Sequence, residues 1–112
     1  MDEQPKHILT IEEALVSVKR DGDESGEIEQ LLAEIDAIIE SGTGIKWQDQ
    51  TPIPPLAKSV ARLMLQIELG FVQNPMYQTS LTSRMISLQL DAVKLVENGV
   101  VKDGSFDEQK TQ

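Results

Sequence analysis

Apolar residues recur at helical spacing in four stretches of this chain, and proline, glycine and acidic clusters lie between them. The clearest stretch is the second. Ile28, Leu31, Leu32, Ile35, Ile38 and Ile39 form one apolar stripe, with Glu27, Glu29, Glu34, Asp36 and Glu40 between or beside them. Acids in its first turn favour the positive end of the helix dipole. Ser41-Gly42-Thr43-Gly44 ends it, with Gly42 placed as the left-handed C-terminal cap. Before it, Thr10 and Glu13 form a capping box, Leu9 and Ala14 hold the hydrophobic-staple positions, and Ile11, Leu15 and Val18 predict a short helix over 11–19. That helix stops at the polar turn Arg20-Asp21-Gly22-Asp23-Glu24-Ser25-Gly26.

The connector over 45–55 closes on Thr51-Pro52-Ile53-Pro54-Pro55, too proline-rich to be helical inside, and Pro55 suits a first helical turn. A third helix is predicted over 55–72 from Leu56, Val60, Leu63, Met64, Ile67 and Phe71. Ala57, Ala61 and Leu65 widen its apolar surface, as in a central helix packed on several sides. Asn74-Pro75 breaks the chain. A fourth helix, capped by Ser80 or Thr82, is predicted over 81–97, with Leu81, Met85, Leu88, Ala92 and Leu95 on one face and Ile86, Leu90 and Val93 beside it. Asn98-Gly99 closes it. The predicted class is all-α, a small bundle of about four helices over 1–99, followed by a polar C-terminal arm over 100–112 expected to be disordered in the free monomer.

At 112 residues the chain is the length of one domain with one core. Aromatics are 4% of it, so the core must be aliphatic and no ring-lined cofactor box exists. Cysteine is absent, which removes disulfides, thiolate metal sites and cysteine nucleophiles. No apolar run reaches the ~20 residues that span a bilayer, and the acidic start, Met1-Asp2-Glu3, leads into no signal-peptide core. The formal charge of −9 is uneven: residues 1–40 hold twelve acids and three bases, and residues 41–98 hold four acids and five bases. That field repels nucleic acid and anionic membrane.

Each candidate chemical site has a plainer reading. From Asp21 the spacing Asp23, Ser25, Gly26 follows a calcium loop, but the twelfth position is Leu32 where a bidentate Glu is needed. An acidic turn that caps the second helix is the better account. His7, the single histidine, has no cysteine beside it and makes a poor metal site. Glu12-Glu13 and Asp23-Glu24 lie on polar segments without an apolar pocket to raise a carboxyl pKa. Thr43-Gly44 is followed by no Gly-Lys-Ser/Thr pattern, so it is no phosphate loop. No catalytic, cofactor or metal site is expected, and the chain reads as a binding protein.

Five residues are candidates for partner contact. Trp47 reads either as a lid on the small core or as an interface anchor, and Tyr77 carries the same two readings. Val100 and Val101 open the arm, and Phe106 is a lone large apolar residue within it, fit for a partner's pocket.

The order of segments resembles the head–tail connector (adaptor) proteins of long-tailed phages. It is carried by Ile8-Leu9-Thr10-Ile11-Glu12-Glu13-Ala14-Leu15, then Asp21-Gly22-Asp23-Glu24, the Leu31-Leu32-Ala33 helix, Thr43-Gly44, the proline run and the helix from Leu56 to Phe71. It covers about residues 8–97. Where that family has a Trp-Tyr-Glu-Asn-Arg-like end to the third helix, this chain reads Gly70-Phe71-Val72-Gln73-Asn74. The resemblance implies a virion protein, assembled in the host cytoplasm and placed at the head–tail junction. There a homo-oligomeric ring would contact the portal protein and a downstream tail-completion protein, with DNA passing through and the arm reaching the portal. The alternative is a small acidic helical regulator that binds a basic protein as a DNA mimic.

Overall fold

The computed structural model describes residues 6–23, 25–70 and 74–99. They form four helices and a one-turn 3-10 helix with no strand among them, a small all-α bundle. The helices are α1 (Ile11–Ser17), α2 (Glu27–Thr43), α3 (Pro55–Glu68) and α4 (Pro75–Glu97), and the 3-10 turn is Trp47–Asp49.

The caps follow from local chemistry. Thr10 accepts from the Glu13 amide and Glu13 reaches back to the Thr10 amide, the reciprocal box that fixes the start of α1. The same Glu13 carboxylate takes Lys58 of α3 at 2.7 Å. Burial pushes Glu13 up, but the Lys58 and Thr10 hydrogen bonds and the Lys58 charge outweigh it, and the group ends below the usual carboxylate range. Past the Val18 cap of α1, Lys19 is a non-glycine residue with φ of +57°, and the next amide, Arg20, donates back to the Leu15 carbonyl at 3.0 Å.

Two helix ends differ from the sequence expectation. The left-handed residue after α2 is Gly44 (φ +81°), whose amide meets the Glu40 carbonyl. Gly42 lies inside the helix, where an added Cβ would stand 2.9 Å from the Met85 methyl of α4. Its carbonyl accepts from Gln89 of α4 at 3.0 Å. Gly42 is therefore where α4 comes close to α2. α4 also starts at Pro75, six residues before the predicted Leu81. Asn74 caps it by accepting from the Met76 amide at 2.9 Å, and Pro75 sits where its missing N–H costs nothing. Asn74-Pro75 begins a helix rather than merely ending one. α3 stops at Glu68, with Gly70 in the left-handed region (φ +73°), short of the predicted 72; Phe71 and Val72 lie outside the described residues.

The core is one cluster. Ile28, Leu32, Ile35 and Ile39 of α2 meet Ala57, Val60, Ala61 and Leu65 of α3 and Leu88, Ala92 and Val96 of α4, all buried. α3 packs against α1, α2 and α4, the central position its wide apolar surface predicts. Ile8 and Leu9, before the first cap, are fully buried as well. At roughly 1.5–3 kcal/mol for each large aliphatic side chain buried, those two residues fasten the N-terminal segment to the bundle.

Candidate interaction surfaces

The acidic turn between α1 and α2 is a cap. Asp23 accepts from the Ile28 amide at 2.9 Å and the Glu29 amide at 3.0 Å, so both its oxygens serve orphan donors of the first turn of α2. The helix-capping reading of this turn holds.

The N-terminal segment carries a polar site that the spacing alone does not reveal. Asp36 is 5% exposed, on the same side of α2 as Leu32 and Ile39. One of its oxygens receives His7 Nδ1 at 2.7 Å and the other accepts from the Ile8 amide at 3.2 Å. Burial pushes its carboxyl above the usual range, and the His7 and Ile8 hydrogen bonds pull against that rise. His7 Nε2 stands 3.8 Å from Glu29, too far for a hydrogen bond, and has no partner among the described residues.

His7 is also one of the residues lining a cleft of about 610 Å³ between the N-terminal segment and the 45–55 connector. Gln48 lines the same cleft, and its Oε1 is buried without a hydrogen-bond partner among the described residues.

α4 carries a surface of the opposite kind. Leu88, Ala92 and Val96 are buried, while Ile86, Leu90 and Val93 are 52%, 60% and 46% exposed. These three repeat at i, i+4, i+7 and so line one face of the helix. At its start Met76 and Tyr77 are exposed too, beside a hollow of about 380 Å³ bordered by Leu63, Gln66 and Arg84. No acid occurs on α4 before Asp91.

The five predicted contact residues separate clearly. Trp47 is 1% exposed and its indole N–H donates to the Thr43 hydroxyl at 2.9 Å, so it is the lid of the core and offers no surface anchor. Tyr77 is on the surface, 41% exposed. Val100, Val101 and Phe106 lie outside the described residues, as does the predicted arm. The residues missed are His7 with Asp36, and the stripe Ile86, Leu90 and Val93. A carboxylate within an apolar stripe, in a chain with a single imidazole, was the readable sign of the first.

Among the described residues no helix is long and apolar enough to cross a membrane, and no three His, Cys, Asp or Glu side chains are grouped to hold a metal ion. No protein-family model, no curated protein and no solved structure matches this chain.

Proposed function

We propose that this chain is a structural subunit rather than an enzyme: one copy in a ring at the head–tail junction of a long-tailed phage virion, beneath the portal protein. The observation that carries the reading is the uncovered stripe Ile86, Leu90 and Val93 on a 23-residue helix. Three large aliphatic side chains aligned on a regular face stabilise an assembly when another surface covers them. A ring is built from heterologous contacts, so each copy needs two different patches. The stripe is one. The hollow beside Met76 and Tyr77 is the second apolar surface left open. The segment order that resembles phage connector proteins supports the same reading, and the portal and a downstream tail-completion protein are the implied neighbours. DNA passes through such a ring without sequence-specific binding. Exposed acids on α2, such as Glu27 and Glu34, suit that passage because they repel phosphates.

Native mass spectrometry of the full chain, alone and with the portal protein, tests the proposal. The expected result is a closed homo-oligomer that forms with the portal present. A chain that stays monomeric with the portal, and instead binds a basic DNA-binding protein tightly, would move the assignment to the acidic regulator.

A further inference from the structure

The hollow at the start of α4 differs in chemistry from the rest of this acidic chain. Leu63, Met76 and Tyr77 give it apolar wall, and Arg84 borders it. Among its described lining residues it has that one cation and no acid. Met76, Tyr77 and Arg84 are exposed, so the groups that would meet a ligand are open to solvent. Arg84 Nη1 donates to the Ser59 hydroxyl at 2.7 Å, and the guanidinium pairs with no carboxylate among the described residues. An aromatic side chain beside a carboxylate matches this hollow: the ring covers apolar wall, and the carboxylate takes the free guanidinium donors.

The sequence itself carries such a segment. Asp103-Gly104-Ser105-Phe106-Asp107-Glu108 sets one aromatic residue among three acids. The described chain ends at Gly99, seven residues before Phe106, and that stretch spans at most about 25 Å. Tyr77 lies twenty residues before the last residue of α4, Glu97, or about 30 Å along the helix. Only a taut arm laid straight back along α4 would bring Phe106 to its own hollow, whereas a neighbouring copy is under no such limit. Resting on the ring assignment, we propose that the hollow of each copy binds the Phe106-Asp107-Glu108 segment of the next. The Phe106 ring packs against Leu63, Met76 and Tyr77, and a carboxylate beside it pairs with Arg84.

The test is a two-dimensional NMR titration of the full chain, dilute enough to be monomeric, with a blocked peptide of residues 100–112. The expected result is saturable shifts at Met76, Ser80 and Arg84 that weaken in high salt and are absent with the Phe106→Ala peptide. Tyr77→Ala and Arg84→Gln alter exposed side chains and should leave the fold intact by circular dichroism. Tyr77→Ala should weaken peptide binding about tenfold and Arg84→Gln about threefold. No saturable shift at millimolar peptide overturns the proposal, and so does binding that both variants leave unchanged. A displacement of the Tyr77 signals when Phe106→Ala is made in the dilute full chain also overturns it, because the arm would then occupy its own hollow. The peptide needs no portal protein, so docking and assembly fail separately. A ring formed by a chain that does not bind the peptide overturns the docking alone, while peptide binding by a chain that forms no ring upholds the contact and overturns the ring.

Discussion

α2 and α4 carry apolar residues at the same helical spacing, yet the fold treats them differently. On α2 the residues Ile28, Leu32, Ile35 and Ile39 are at most 4% exposed, and the outward face is mostly acids and other polar groups. α4 has two apolar stripes. Its Leu88, Ala92, Val96 stripe completes the core, and its Ile86, Leu90, Val93 stripe is about half exposed or more. α2 leaves one large apolar side chain, Ile38, at 55% exposure, whereas α4 leaves an aligned set of three. Periodicity identifies a helix, but the number of neighbours decides how many of its faces are covered.

The largest effect expected sets the two helices directly against each other. Leu32→Ala empties a fully buried site and should cost about 3 kcal/mol in urea denaturation, while Leu90→Ala should cost less than about 0.5 kcal/mol. Equal losses at the two positions would mean that α4 is covered in the monomer.

A smaller loss, about 2 kcal/mol at neutral pH, is expected for Asp36→Ala, which strands His7 Nδ1 and the Ile8 amide. The pH dependence has a definite sign. Burial raises Asp36 above its ordinary value near 3.8, so the folded chain holds this proton more tightly than the unfolded one. Ionised Asp36 therefore weighs against stability at neutral pH, and that penalty fades as pH falls through the raised value toward 3.8. In Asp36→Asn the penalty is gone at every pH, so its stability relative to the parent should fall as acid is added through that window. A parent-to-Asn difference that stays flat there would contradict the burial account. The smallest effect is a gain. Lys19→Gly relieves a left-handed residue after α1 and should stabilise the chain by about 0.5–1 kcal/mol in the same denaturation assay.

Much of the fold is legible in the sequence because local chemistry and tertiary packing agree there. The Thr10–Glu13 box, the Asp23 cap and the apolar stripe of α2 appear where the residue pattern puts them, except that Ile38 of that stripe lies on the surface. The errors fall where a residue has two uses. Asn-Pro reads as a breaker, yet it is also a good cap followed by a good first residue, and α4 uses it that way. Gly42 and Gly44 both suit a left-handed cap. Met85 on α4, which no local rule sees, needs the room at Gly42, and the left-handed turn falls to Gly44. Trp47 was ambiguous for the same reason, and the Thr43 hydroxyl that receives its indole is what places it in the core. The His7–Asp36 pair joins residues 29 apart in the chain, a distance over which spacing rules carry no information.

The claim that α4 keeps a face for assembly is tested most directly by the mass of Leu90→Glu in the presence of the portal protein. A charge on that exposed face should leave the melting temperature of the monomer nearly unchanged and prevent the oligomer that the parent chain forms. An oligomer of unchanged mass from a folded Leu90→Glu chain would contradict the account.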